Sequence, residues 1–114
     1  MISCSWFIMD VTENEAEDIY QRLIHKKSVL GVIVLNENGL RTSMDNATTT
    51  DLMNALVPLN NLARKTVKDL DPDNELLFCR IRTNKNEIMI GIDGGNMYIV
   101  LQDARFIRTP HVLR

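Results

Sequence analysis

The chain has 114 residues and a mass of 13.1 kDa, which corresponds to a single domain with a modest hydrophobic core. Hydrophobic residues make up 45% and charged residues 25% of the sequence, a composition that argues against both the disordered and the fibrous classes. The net charge is −2 and the pI is near 5.6, so binding to nucleic-acid phosphates is not expected as the main task.

The number of cysteines and the first ten residues indicate the cellular compartment in which the protein is expected. Cys4 and Cys79 are the only cysteines, so a disulfide framework is not expected and a reducing compartment fits. The first ten residues are partly apolar, but they lack a basic leading segment and are too short to cross a membrane. We expect a cytoplasmic protein without membrane insertion. Its predicted organisation is an N-terminal extension (1–11), one folded domain (12–104) and a C-terminal tail (105–114).

A helix and a β-hairpin are predicted first. Thr12 and Glu15 have the spacing of a capping box, and the apolar residues that follow share one helical face up to about residue 27. Residues 31–35 are apolar at every position, so we expect this strand to be covered on both faces. Residues 36–39 predict a turn whose final glycine takes a positive φ, followed by a short strand at Leu40–Met44.

A long second helix is predicted next. Residues 48–50 are threonines that can cap it, and Asp71 with Pro72 should end it. Pro58 lies inside, opposite the apolar stripe, and predicts a bend rather than a break, at a cost of about 3 kcal/mol. The continuous apolar stripe at helical spacing comprises Leu52, Ala55, Leu56, Leu59, Leu62, Ala63, Val67 and Leu70.

Three more strands complete the predicted order α-β-β-α-β-β-β, an α+β fold. The apolar runs at residues 76–82 and 88–92 flank a polar break at residues 84–86, which predicts a hairpin. A tight turn at residues 93–95 then leads into residues 96–102. This last strand is apolar on both faces, so we expect it to be central in the sheet.

No motif in the sequence predicts catalysis. Asp71, Asp73 and Glu75 have the spacing of the first ligands of a calcium loop, but Leu76 stands where glycine is needed and Arg82 where glutamate is needed. The glycines after the fourth strand precede a strand, so they do not form a phosphate-binding helix terminus. No serine or cysteine lies in a nucleophile elbow. We therefore predict a protein that is not an enzyme, without catalytic, cofactor-binding or metal-binding residues.

Arg80 and Arg82 share a predicted strand face with Leu76 and Phe78. One interpretation is an edge strand whose charges discourage uncontrolled pairing. The other is a strand that pairs with its counterpart in a second subunit and joins two sheets. Both interpretations place this strand at the edge of its sheet.

Met53 and Val57 lie beside the main stripe of the second helix, four residues apart. They would widen its apolar face beyond what one sheet usually covers. A dimer surface and ordinary peripheral core are both compatible with this position.

Taken in order, these segments resemble the roadblock family of dynein light chains. The similar region runs from about Ile19 to Ala104 with near-family spacing, and includes GVIVLNENG, SMDNATTT, ARKTVKDLDPDNELLFCRIRTNKNEIMI and YIVLQ. The resemblance implies a roadblock/profilin-like architecture in which a five-stranded antiparallel sheet lies between helices. Residues 12–104 would then form the roadblock-like domain.

The resemblance also implies partners. It implies a dimer, with the chain itself or a paralogue, formed through the long helix and the third strand, and no catalysis. The further partner is the dynein intermediate chain, in the cargo-binding part of a cytoskeletal motor. Scaffolding or regulation of small GTPases, which related folds perform, is the alternative. By resemblance, the interface residues are Met53, Val57, Leu76, Phe78, Arg80 and Arg82.

The chain departs from the family pattern at three positions. Between Gly39 and Ser43 it is two residues shorter and lacks a proline, which should shorten or shift the second strand. Ala47 replaces a proline before the threonines. Pro58 enters the dimer helix and should weaken or reshape self-association. We expect a divergent family member with altered partner preference.

Overall fold

The computed structural model describes residues 15–106 of the chain. The predicted order of elements, and with it the α+β fold, is confirmed, although Thr12 lies outside the described residues. No helix within residues 15–106 has the length and hydropathy needed to span a bilayer. The elements are α1 (residues 15–24), β1 (Val29–Asn36), β2 (Gly39–Thr42), α2 (Asn46–Leu70), β3 (Phe78–Arg82), β4 (Asn86–Asp93), β5 (Asn96–Asp103) and a short 3-10 helix (Ala104–Phe106).

The strands form one antiparallel sheet in the order β2-β1-β5-β4-β3. The prediction that the last strand is central is therefore confirmed, because β5 lies in the middle. β2 and β3 form the two edges. Helices α1 and α2 pack on opposite faces of the sheet, as the apolar clusters on the two faces show.

Side-chain alternation along β1 explains why this strand is apolar at every position. Val32 and Val34 pack against Ala16 and Tyr20 of α1. Ile33 points to the other face because successive side chains in a strand alternate. The buried cluster under α2 consists of Ile33, Leu56, Ile90 and Ile99.

Glycines lie at the two tight turns predicted from the sequence. Gly39, the first residue of β2 directly after the turn at residues 37–38, has a φ of 138°. Gly94 and Gly95, between β4 and β5, have φ values of 57° and 85°. Two consecutive positive φ values suit a two-residue hairpin turn, because their twist matches that of the flanking strands.

Two early elements end sooner than predicted. β2 stops at Thr42 and not at Met44, because the Met44 N–H donates to the Thr42 hydroxyl at 3.1 Å and the chain turns towards α2. α1 stops at residue 24 and not at 27. There the Lys26 N–H donates to the Leu23 carbonyl at 3.1 Å, which closes a turn before β1.

The N-terminus of α2 also differs from the prediction. The threonines at residues 48–50 are inside the helix, and Asp45 is the N-cap. Its carboxylate accepts a hydrogen bond from the Thr48 N–H at 3.3 Å. An aspartate three residues before a free N–H is a strong cap, so it displaces the threonines from that role.

The C-terminus of α2 agrees with the prediction. Asp71 is the C-cap, and its N–H donates to the Val67 carbonyl at 3.0 Å. Pro58 lies within a helix that is continuous over 25 residues, so the proline does not break it. The proline side is exposed, where water can satisfy the carbonyl that loses its N–H partner.

Candidate dimer and partner interface

Within residues 15–106, β3 has β4 as its only neighbouring strand. The Thr83 N–H donates to the Asn86 carbonyl at 2.8 Å, and the Ile92 N–H donates to the Leu77 carbonyl at 3.3 Å. Residues 77 and 83 therefore direct their backbone groups towards β4. Because this direction alternates along a strand, every second residue between them directs its N–H and C=O to the outer edge. These residues are Phe78, Arg80 and Arg82.

The side chains of β3 divide between the two faces of the sheet. Cys79 and Ile81 pack against the buried cluster under α2. On the other face, Phe78 is 49% exposed and the Arg80 side chain is 56% exposed. The edge strand is thus anchored on one face and open on the other.

Arg80 is held by three neighbours. Its Nε lies 2.7 Å from Oε1 of Glu87, one terminal nitrogen lies 3.6 Å from the Met89 sulfur, and Cζ lies 5.3 Å from the centre of the Phe78 ring. The Glu87 side chain is only 6% exposed, so the arginine compensates for a buried negative charge. Sequence reasoning missed Glu87. An acidic residue in the strand just after a hairpin was the only available signal, and its partner depends on register.

α2 carries an apolar row that the sheet does not cover. Leu59 is 42% exposed and Leu62 is 61% exposed, and Ala55, one turn before Leu59, is exposed as well. These residues belong to the predicted apolar stripe, as does Leu70, which is 83% exposed. The stripe extends farther around the helix than one sheet can bury.

Arg64 lies on the flank of α2 that faces the segment before β3. It lines one cleft with Leu76 and Leu77, and another with Leu35 of β1 and Met97 of β5. Leu59 and Leu62 lie roughly 140–160° away from Arg64 around the helix axis. The exposed row is therefore on the other flank of the helix.

The structure brings four of the six predicted interface residues together. Leu76 is half-buried and lies two residues before the first residue of the edge strand. Phe78, Arg80 and Arg82 follow on one face of that strand, as the sequence pattern indicated. The β3 part of the predicted site is therefore one continuous surface.

The other two predicted residues lie on α2. Met53 is half-buried and packs against the cluster under α2. Val57 is also half-buried and lies on the Arg64 flank of the helix. Their role in an interface remains a prediction, whereas Leu59 and Leu62 are the exposed leucines of the same helix.

Shifted pKa values occur at a helix cap, at an ion pair and at a partly buried tyrosine. Hydrogen bonds from Thr48 lower the pKa of Asp45, and those from Arg105 lower the pKa of Asp103. Burial raises the pKa of Tyr98. Residues 15–106 contain no group of three or more histidine, cysteine or acidic side chains placed to hold a metal ion.

The sequence model of the Roadblock/LC7 domain matches residues 15–103. The chain belongs to the Roadblock/LC7 family. The match covers the described part of α1, α2 and all five strands, and the antiparallel five-stranded sheet with helices is consistent with the roadblock fold. Roadblock/LC7 proteins are generally non-catalytic.

Proposed function

We propose that this Roadblock/LC7 chain is a non-catalytic dynein light chain. It dimerises, with itself or a paralogue, and binds the dynein intermediate chain. In this role it contributes to motor assembly, cargo attachment and microtubule-based transport, as a cytoplasmic protein associated with the cytoskeleton. Family membership and the geometry of β3 and α2 support the proposal, and the intermediate chain enters it through the family resemblance.

The observation that carries the proposal is an edge strand in a molecule that exposes apolar side chains both on this strand and on α2. Leu59, Leu62 and Phe78 are each about half exposed, and covering such a side chain is worth about 1 kcal/mol. Two copies contribute six of them. This gain, with the backbone hydrogen bonds of a joined sheet, is of the size needed to offset an association cost of about 4–15 kcal/mol.

The proposed interface includes Leu76, Phe78, Arg80 and Arg82 on and before β3. On α2, Met53 and Val57 stay in the proposal as the helix residues that the resemblance assigns. Leu59 and Leu62 join them because they are the exposed leucines of the same helix. The helix part of the interface is therefore the part that mutagenesis should examine most closely.

Replacing Leu62 by Glu should weaken the dimer. A carboxylate in an apolar interface without a partner is costly, so we expect the dimer Kd to rise at least about tenfold, which corresponds to about 1.4 kcal/mol. Leu40→Glu is the matched control, because Leu40 is 50% exposed but lies on the opposite edge, β2. Sedimentation velocity over a concentration series measures both. Equal effects of the two variants would contradict the assigned surface.

Partner binding is tested by titrating the full chain with a dynein intermediate-chain segment. We expect saturable binding in a calorimeter, with a stoichiometry of one segment per chain. Adding the chain to a small GTPase should leave nucleotide exchange and hydrolysis rates unchanged, whereas altered rates would support the GTPase alternative. A strict monomer that ignores the segment at high micromolar concentration would overturn the proposal.

A further inference from the structure

We propose that two copies of the chain pair their β3 strands in one defined register, with Phe78 of each copy opposite Arg80 of the other. The two Cys79 residues then face each other at the twofold axis. The inference rests on the proposed dimer and adds the alignment of the two edges, which follows from the charges and apolar side chains of this strand.

Twofold symmetry leaves few registers. In an antiparallel pair, residues directly opposite each other lie on the same face of the sheet, so the axis must pass through one residue and its own copy. Within β3 the centre could be any of the five residues. A centre at Arg82 sets the two Arg82 residues face to face and Arg80 opposite Asn84, beyond the end of the strand, which leaves Phe78, Cys79, Arg80 and Ile81 as candidates. Each choice shifts the partner strand by two residues and changes every cross-strand pair.

Two of the remaining registers set arginines against each other. A centre at Ile81 places Arg80 opposite Arg82 twice, and a centre at Arg80 places the two Arg80 residues face to face. Like charges directly opposite each other destabilise a strand pair. The Arg80 centre also sets the exposed Leu77 against the hydroxyl of Thr83, so an apolar side chain gains no apolar partner.

A centre at Phe78 would leave most of β3 paired with residues that lie outside the strand. Of all its cross-strand pairs, only the central one lies within β3, and Arg82 would be opposite Asn74. Asn74 belongs to the turn after α2, where its N–H donates to the Asp71 carbonyl at 2.9 Å. Extending the ladder to this residue would therefore require the turn to open.

The register centred on Cys79 satisfies both faces of the sheet. On the α2 face, the 64% exposed Leu77 lies opposite Ile81, so two apolar side chains meet. On the other face, the ring of Phe78 lies opposite Arg80. The bond between Leu77 and Ile92 shows that the strand conformation already extends beyond Phe78, as this register requires.

The position of Arg80 suits an aromatic ring from the second copy. Its guanidinium is directed to Glu87 of β4, at 2.7 Å, and thus away from the outer edge. The stem of the side chain remains at the edge, where the ring can pack on it and lie near the cation. Such contacts between an arginine and an aromatic ring are favourable, and each dimer contains two of them.

The two Cys79 residues give this register a chemical signature. Cys79 directs its backbone groups to β4, so across the new interface it forms a non-hydrogen-bonded pair, with Cα atoms about 4.5 Å apart. This separation falls within the range of disulfides. Oxidation by diamide would join the two Sγ atoms, and the two protons and two electrons released would reduce the diazene to a hydrazine.

Single-cysteine scanning tests the register. In full-length chains that carry Cys4→Ser, Cys79 is compared with Phe78→Cys, Arg80→Cys and Ile81→Cys, each of these three combined with Cys79→Ser. Only the residue on the axis meets its own copy, so each variant reports one register. Reducing and non-reducing gels follow crosslinking by diamide, and sedimentation of the reduced proteins shows whether each variant is a dimer.

We expect Cys79 to crosslink at least about tenfold faster than the other three, because a shift of two residues moves the thiols by about 6–7 Å. Faster crosslinking at position 78, 80 or 81 would overturn the register while the dimer stands. A reduced dimer that crosslinks at none of the four positions would overturn strand pairing. A reduced wild-type monomer would instead overturn the proposed function.

Discussion

Asn60 is a buried polar residue whose burial the hydrophobic pattern of α2 does not predict. It is 1% exposed, and neither its Oδ1 nor its Nδ2 has a hydrogen-bond partner among residues 15–106. A buried amide without partners costs about 1–3 kcal/mol relative to an apolar side chain. We therefore expect Asn60→Leu to raise the free energy of unfolding by about 1–3 kcal/mol in urea denaturation at one fixed protein concentration.

Asn61→Leu is the control for this variant, because Asn61 is adjacent and exposed. It should change the free energy of unfolding by no more than about 0.5 kcal/mol. If Asn60→Leu destabilised the protein while Asn61→Leu did not, the Asn60 amide would have to be making favourable bonds.

Asp45, the N-cap of α2, makes the free energy of unfolding depend on pH in the acidic range. Hydrogen bonds from Thr48 lower its pKa from 3.8, so its charged form is the one stabilised by folding. This contribution is fully present above pH 3.8 and is lost as the pH falls through the lower folded-state pKa. Asp45→Ala should therefore be destabilising at pH 7, with an effect that shrinks below pH 3.8. Thermal unfolding across pH measures it.

Asp45→Asn keeps an oxygen acceptor that does not titrate. Relative to Asp45→Ala, it should be more stable by an amount that is nearly independent of pH. An effect of Asp45→Ala that stayed constant between pH 7 and pH 2 would contradict the assigned cap.

At the scale of the elements, Pro58 is the main departure within α2. It removes one backbone hydrogen bond, yet the helix continues from Asn46 to Leu70. Pro58→Ala should restore the bond to the Asn54 carbonyl and raise the free energy of unfolding by about 1–3 kcal/mol. Asn61→Ala, which only gains helix propensity, should give less than about 1 kcal/mol. Urea denaturation compares them, and equal gains would show that the proline is fully accommodated.

The elements themselves follow from local signals in the sequence. Glycine at positive φ predicted both hairpin turns, and Asp71 followed by Pro72 predicted the end of α2. Element boundaries depended on single hydrogen bonds that periodicity does not encode. The bond from Thr48 to Asp45 moved the start of α2, and the Thr42 hydroxyl shortened β2.

The candidate site could be predicted only in part. Phe78, Arg80 and Arg82 alternate with apolar residues, so a strand face was visible in the sequence. The exposure of Leu59 and Leu62 was not visible, because a helical stripe does not show how much of its width one sheet covers. The partner of Arg80, Glu87, depends on the register between β3 and β4, which is a property of the folded chain.

At the scale of the whole molecule, the two sheet edges differ. The β3 edge carries half-exposed Phe78 and follows the exposed Leu77, whereas β2 at the other edge is only four residues long. A short edge strand offers little surface for pairing. The proposed association through β3 would therefore give a closed dimer in which two five-stranded sheets join, rather than an open chain of subunits.

Sedimentation equilibrium of the full-length chain over a range of micromolar concentrations tests the dimer most directly. The proposed assembly predicts a reduced, non-crosslinked particle of twice 13.1 kDa that dissociates on dilution, and a shift towards monomer for Leu62→Glu but not for Leu40→Glu. A mass of 13.1 kDa at every concentration would contradict it.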